Sequence, residues 1–236
     1  AGMLLRRRAQ EIVDLTEKTE QEFQNRGDTL SGTVSIGSGE ADTMRCLAQI
    51  MRDFSELYPE VKFDIYSNDA DHVRERLERG TLDIGVLLGP TDISKYESIV
   101  LPGKERWGVI VPAKCPLAQK EYVTKEVLVG RRVFIAKRGV AQGVADWFGE
   151  YYDKMNVYAT YNLLYNAAML VDCEVGAAIT IEGASKLYHN PNIIFKPFYP
   201  ELAVTSTMVW KKHQPQTRAV STFLEYVREK LNKDES

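Results

Sequence analysis

The chain has 236 residues, which is long enough for one large hydrophobic core or two smaller ones. It carries 30 Lys and Arg against 33 Asp and Glu, and the net charge of -3 gives it no electrostatic footprint for nucleic acid. The cysteines are widely separated and there are only three histidines, so neither a disulfide framework nor a zinc site is indicated, and we expect no cofactor. No apolar stretch has the length of a signal-peptide core or a membrane span, so the sequence predicts a soluble cytoplasmic protein without membrane contact.

The segment 4–23 contains neither Gly nor Pro and predicts a helix. Its apolar and small residues follow a 4-3-4-3-4 spacing, at Leu5, Ala9, Ile12, Thr16, Thr19 and Phe23. This heptad spacing favours pairing with a second helix, although a helix packed on its own domain gives the same pattern. We expect residues 1–26 to form a linker helix in which Leu5, Ile12 and Phe23 mediate dimerisation.

Strands and helices alternate from Thr33 onward, which predicts an α/β fold of parallel sheets with helices on both faces. In the first unit, strands are predicted through Ile36 and at 61–66, 84–88, 96–101 and 107–111. Helices are predicted at 42–58 and in a segment that Asn68 or Asp69 can cap.

A second unit repeats the alternation after Pro116. Strands are predicted at 133–136, 156–160 and 177–181. Helices are predicted between them, at 144–152 and 163–173. The unit closes around 197–200, after which a strand at 204–210 and an amphipathic helix at 217–231 are predicted.

Three motifs occur in the same order as in one family of bacterial proteins. They are L-S-G-T-V-S-I-G at 30–37, F-S-E-L-Y-P-E-V at 54–61 and L-E-R-G-T-L-D-I-G at 77–85. Together they resemble the effector-binding region of LysR-type transcriptional regulators. The resemblance covers nearly the whole chain and implies two doubly wound lobes joined by a two-crossing hinge, as in periplasmic binding proteins. It also implies that the last strand and helix return to the first unit, with lobe I at 31–112 plus 204–236 and lobe II at 116–200.

Loops at the carboxyl ends of the strands are the candidate ligand site, since open α/β sheets bind ligands there. After the first strand, Ser38, Gly39 and Glu40 precede a helix N-terminus, whose free amides favour an anion. Ser67 and Asn68 follow the second strand. These polar residues are also suited to capping the helices that follow, and the resemblance favours contact with the effector.

In the second unit the candidates are Lys137, Arg138 and Gly139, since two cations beside a glycine can clamp a carboxylate or phosphate. A solvated loop explains these three residues equally well. Thr180 and Ile181 end the last strand of this lobe, and the resemblance implies that they face the same cleft.

The chain departs from the family pattern in the wall of that cleft. The usual small-residue run G-x-G-I-A-x-x-P appears as E-V-G-A-A-I-T-I, with Glu174 for the first Gly and Ile181 for the Pro. The usual H-P-L-A appears as C-P-L-A at 115–118, a change that we expect to affect packing only.

The resemblance implies the regulatory half of a LysR-type transcription factor, with DNA bound through an N-terminal domain outside this chain. We expect a homodimer or homotetramer that binds a small effector between the lobes and performs no catalysis. Lys137 and Arg138 favour an anionic effector, whereas Glu40 favours an amine, so a zwitterion satisfies both signs.

Two other protein classes share this architecture. A solute-binding protein of a transport system has the same two lobes, but the missing secretion signal and the heptad-spaced first helix argue against it. An enzyme on this scaffold needs a catalytic motif, and the sequence has no G-x-S-x-G, H-E-x-x-H, Walker or G-x-G-x-x-G motif. A redox switch is not indicated, because Cys115 and Cys173 lie far apart in the sequence.

Overall fold

The computed structural model describes residues 29–137, 141–186, 188–212 and 214–234, and, nearer the N-terminus, Gly2, Leu5, Arg6, Arg8, Ala9, Ile12, Val13 and Thr16. These N-terminal residues are helical, and the Thr16 hydroxyl donates a hydrogen bond to the carbonyl of Ile12 at 2.8 Å. In the predicted dimerisation seam, Leu5 and Ile12 are 72% and 65% exposed, and Phe23 lies outside the described residues.

The elements follow one another in an alternating order along the chain. The strands are β1 (Gly32–Ser38), β2 (Val61–Ser67), β3 (Ile84–Leu88), β4 (Tyr96–Val100), β5 (Glu105–Pro112), β6 (Arg132–Ala136), β7 (Asn156–Tyr161), β8 (Ala177–Ile181), β9 (Ile193–Pro197), β10 (Ala203–Val204) and β11 (Ser206–Lys211). The α-helices are α1 (Met44–Leu57), α2 (Ala70–Glu78), α3 (Ala141–Phe148), α4 (Leu164–Asp172), α5 (Glu182–Lys186) and α6 (Arg218–Asp234). Short 3₁₀ helices lie at Pro116–Gln119, Glu126–Leu128 and Gly149–Lys154.

The first sheet has the strand order β2-β1-β3-β11-β4. β1 pairs in parallel with β2 and β3, and β11 is inserted antiparallel between β3 and β4. α1 and α6 pack on one face of this sheet around Phe54, Phe63 and Phe223, whose ring centroids lie 5.0 to 6.2 Å apart. α2 covers the other face with Val73 and Leu77. Because both faces are covered, β3 is apolar along its whole length.

The second sheet has the order β10-β5-β8-β6-β7, and β9 also pairs with β5. The pairs that β6 makes with β7 and β8 are parallel, whereas β5 is antiparallel to β8, β9 and β10. Its core includes Val109, Phe134 and Phe148, which are fully buried. Two sheets, each with its own core and helices, confirm the predicted two-lobed α/β fold.

The chain crosses between the sheets at 101–104 and at Thr205, which differs from the predicted lobe boundaries. The expected lobe I at 31–112 includes β5, but β5 pairs with strands of the second sheet. The predicted strand at 204–210 is divided, since β10 belongs to the second sheet and β11 to the first. An apolar strand sequence reads the same in either sheet, so only the pairing assigns it to a lobe. Lobe I is therefore formed from 32–100 and 206–234, and lobe II from 105–204.

Candidate functional site between the lobes

The two lobes face each other across a cleft at the carboxyl ends of β1 and β3 in lobe I and of β6 and β8 in lobe II. The cleft encloses a cavity of about 100 Å³ and is open to solvent on one side. Val86, Leu88 and Trp107 contribute to its apolar lining. An apolar lining combined with a few polar groups is typical of a small-molecule site.

Several residues that the sequence predicted as effector contacts line this cleft, namely Ser38, Gly39, Glu40, Asn68, Lys137, Thr180 and Ile181. Ser67 does not line it, because it is exposed at the end of the edge strand β2 while the next residue turns inward. Arg138 and Gly139 lie outside the described residues.

Glu40 connects the two lobes across this cleft. Its Oε2 accepts a hydrogen bond from the Leu164 backbone N–H at 2.6 Å, and its Oε1 accepts one from the Tyr188 hydroxyl at 3.2 Å. Leu163, at the N-cap position of α4, has no side chain that could cap the helix, so the lobe I carboxylate acts as the cap. Burial, together with the nearby Glu40 carboxylate, raises the pKa of Tyr188, which keeps this hydroxyl a donor at neutral pH.

Glu105, at the start of β5, forms a second connection between the lobes, close to the crossing. Only 3% of this residue is exposed. Its Oε1 accepts hydrogen bonds from the Asp42 and Thr43 N–H groups at 2.6 and 3.3 Å, and its Oε2 accepts one from the Gly183 N–H at 3.1 Å. The N-terminus of α1 was expected to bind the anion of a ligand, but the Glu105 carboxylate already occupies it.

Lys137 and Tyr161 line the cleft on the side of lobe II. The Lys137 N–H donates to the Tyr161 carbonyl at 2.7 Å, which holds this lysine beside the loop that leads into α4. The Lys137 side chain has no hydrogen-bond or ion-pair partner among the residues that the structure describes. The Tyr161 hydroxyl donates to the Ile179 carbonyl, and burial raises the pKa of this tyrosine.

The polar residues of lobe I have partners within their own loops. The Ser38 hydroxyl donates to the Gly39 carbonyl at 2.9 Å. The Asn68 amide group donates to the Tyr66 hydroxyl at 2.8 Å, and Asp69 caps α2 by accepting from the His72 N–H at 3.0 Å. The capping role proposed as the alternative for this segment is thus performed by Asp69, while Asn68 lines the cleft.

The departure from the family pattern at Glu174 has a visible backbone consequence. Glu174 adopts a φ of 58°, in the left-handed region that glycine occupies at low cost. Glu174 thus keeps a conformation suited to the family's glycine at a cost of about 1 kcal/mol. It lies before β8, at the opposite end of this strand from the cleft residues Thr180 and Ile181.

The described part of the chain contains no metal-binding cluster, no disulfide and no helix that could span a membrane. No group of three or more His, Cys, Asp or Glu side chains there could hold a metal ion. Cys46, Cys115 and Cys173 are not joined by disulfides in the described part of the chain. No helix within the described ranges is long and apolar enough to cross a membrane.

Residues 27–232 match the family described as LysR substrate binding domain. The chain is 24% identical over 232 residues to the uncharacterized HTH-type transcriptional regulator YybE of Bacillus subtilis (strain 168), an alignment that covers 96% of this chain and 77% of YybE. It is 22% identical over 204 residues to the Hca operon transcriptional activator HcaR of Escherichia coli (strain K12), covering 84% of this chain and 68% of HcaR. The chain covers a smaller part, 58%, of another B. subtilis regulator, YvbU.

Solved structures share the fold at low sequence identity. The effector-binding domain of QuiR in complex with shikimate aligns with a TM-score of 0.75 at 13% identity, covering 86% of this chain and 99% of that domain. Full-length CbnR complexed with its target DNA aligns with a TM-score of 0.75 at 18% identity, covering 97% of this chain and 80% of CbnR. These likenesses support the two-lobed fold, and the family match favours regulators over the solute-binding proteins that have the same architecture. The chain belongs to the LysR substrate binding domain family.

Proposed function

We propose that this chain is the effector-sensing part of a transcriptional regulator and that another part of the same protein binds DNA. The relatives described above are transcriptional regulators, and the net charge of -3 argues against a DNA-binding surface on this chain. A cytoplasmic location and the absence of catalysis remain predictions that fit this role.

The effector that we propose is a small anionic or zwitterionic molecule bound between the lobes. The observation that carries this proposal is Lys137, which lines the cleft and whose side chain has no hydrogen-bond or ion-pair partner among the described residues. A carboxylate or phosphate on the ligand can pair with it, and a charge-assisted hydrogen bond of this kind is among the stronger polar contacts. An amine on the same ligand can pair with Glu40, so a zwitterion uses both charges of the cleft.

Regulation then follows from a shift between lobe arrangements. A ligand that contacts both walls binds more tightly to the arrangement in which those walls have the right separation, and it increases the population of that arrangement. In a homodimer or homotetramer, the change would be passed to the DNA-binding parts of the assembly.

A thermal-unfolding screen against metabolites tests this function. A cleft ligand at 100 times its dissociation constant is expected to add about 2.7 kcal/mol to the free energy of unfolding. Lys137→Ala should then weaken that ligand by roughly tenfold or more, because the charged partner is lost. Lys120→Ala, which removes an exposed lysine outside the cleft, is the matched control and should leave the affinity unchanged. Equal affinities of the Lys137→Ala variant and the parent protein would contradict the proposed site.

A further inference from the structure

One wall of the cleft is suited to bind a negative charge, and it belongs entirely to lobe II. The Lys137 backbone N–H donates a hydrogen bond to the Tyr161 carbonyl. The helix α4 begins at Leu164, three residues after Tyr161. Lys137 and Leu164, the first residue of α4, both line the cleft. A lysine and a helix N-terminus each attract anions, the first through its charge and the second through its free amides and the helix dipole.

A carboxylate already occupies this wall, and it comes from the opposite lobe. Glu40 accepts the Leu164 N–H at 2.6 Å and the Tyr188 hydroxyl at 3.2 Å. The short contact to Leu164 satisfies an amide that no side chain of α4 caps. Glu40 thus provides the interaction that an effector carboxylate would need at the same amide.

We propose that Glu40 is a built-in competitor of the effector: a ligand carboxylate reaches the first amide of α4 only when it displaces Glu40 from Leu164. This inference rests on the proposed function, since it assigns the regulation of that same cleft. Two carboxylates on one half-buried wall repel each other, so the ligand and Glu40 exclude one another there. Displaced Glu40 becomes free to pair with an amine on the ligand.

The exchange has a mechanical result because the Glu40 connection breaks while other interlobe contacts, including that of Lys186 with Asp42, remain. The Glu40 connection lies in the cleft, whereas Glu105 does not line the cleft and remains bonded to Asp42, Thr43 and Gly183. Ligand entry therefore releases the lobes within the cleft and leaves the connection near the crossing intact. The same event that binds the effector changes the separation of the lobes.

The test uses acetate as the probe and the backbone amide of Leu164 as the reporter in ¹⁵N NMR spectra of the whole chain. In Glu40→Gln the amide keeps a neutral hydrogen-bond acceptor but loses the competing charge, so acetate should bind roughly tenfold more tightly than to the parent protein. In Glu40→Ala the Leu164 amide should exchange faster with solvent, and acetate should restore its protection. Adding Lys137→Ala to Glu40→Ala should weaken acetate again.

Glu60→Gln is the matched control, because Glu60 is exposed and lies outside the cleft. The same acetate affinity in Glu40→Gln as in the parent protein would overturn the proposal, as would an unperturbed Leu164 amide in every variant. These outcomes are separate from failure of the proposed function, since the acetate measurement requires no physiological effector. A screened metabolite whose affinity is unchanged by Glu40→Gln would overturn the competition while leaving the sensing function in place.

Discussion

Gly183, the second residue of α5, lies where the two lobes approach each other closely. A Cβ atom at this position would lie 2.5 Å from both the Asp42 nitrogen and Glu105 Oε2, and 2.7 Å from the Asp42 Cβ. Real Cβ atoms do not approach other heavy atoms so closely, and the neighbours here include a backbone atom and a buried carboxylate. Only glycine allows the two lobes to meet with this separation.

We predict that Gly183→Ala lowers the free energy of unfolding by about 1 to 3 kcal/mol, because the added methyl group forces the lobes apart or displaces Glu105. Chemical denaturation measures the change. Gly143→Ala in α3 is the control, since its nearest neighbour, Pro90 Cδ, would be 3.5 Å from the new Cβ. The control should be neutral or should gain about 0.5 to 1 kcal/mol from the higher helix propensity of alanine. Equal stability of the two variants would contradict the close contact.

At the scale of whole elements, the helices differ in where their N-terminal caps come from. α2 is capped locally by Asp69, whereas the N-cap residues of α1 and α4, Thr43 and Leu163, make no side-chain cap. Glu105 of lobe II supplies the carboxylate for α1, and Glu40 of lobe I supplies it for α4. Each of these two helices is capped by a carboxylate of the other lobe. The stability of their N-terminal ends therefore depends on how the lobes are arranged.

Glu105→Gln should therefore lower the free energy of unfolding by roughly 1.5 to 3 kcal/mol. The buried hydrogen bonds lose their charged acceptor, and the amide N–H of the introduced side chain faces backbone N–H groups that are donors themselves. The control is Asp69→Asn in α2, where asparagine caps a helix about as well as aspartate, and little change is expected. The midpoint of urea unfolding distinguishes the two. A Glu105→Gln midpoint equal to that of Asp69→Asn would show that the interlobe cap contributes nothing.

For the whole molecule, the N-terminal seam is the surface that we expect to pair with a second copy. Leu5 and Ile12 are 72% and 65% exposed in the single chain, which leaves their apolar side chains without cover. The role predicted for Phe23 depends on sequence alone, as this residue lies outside the described residues.

Leu5→Asp combined with Ile12→Asp should shift the protein toward monomer in sedimentation-velocity experiments, because charges on a helix seam oppose pairing. Val13→Asp, a change of the same kind at a residue beside the seam, is the control and should leave the distribution of species as in the parent protein. An unchanged oligomer in the double variant would remove the seam as an interface.

The sequence was most informative where one short segment carries its own pattern. The strands β3 and β8 have the predicted bounds, 84–88 and 177–181, because each is a predominantly apolar run that ends near polar or glycine residues. The helix α5 was not predicted, since five residues are too few to establish a helical period. The strand β9 was not predicted either, because it ends in Pro197, which favours a loop. The assignment of β5 to lobe II also required the observed pairing.

The candidate site was predictable only in part, for a related reason. Glu40 and Lys137 were predicted as effector contacts because they follow strands, and both line the cleft. The partners of Glu40 lie more than 120 residues away in the chain, and Glu105 reads as an ordinary charge before a strand. Long-range pairs of this kind leave no local signal, so the interlobe caps emerge only from the folded structure.

The insertion of β11 between β3 and β4 has a consequence for the order in which the protein is built on the ribosome. All strands of lobe II lie between residues 105 and 204, so their sheet can close as soon as this segment has emerged. Lobe I begins earlier in the sequence, but its sheet has a gap until Ser206–Lys211 has been synthesised. The lobe that comes second in the sequence is thus the first that can complete its fold, and the β1–β4 segment keeps unpaired edges until β11 has been synthesised.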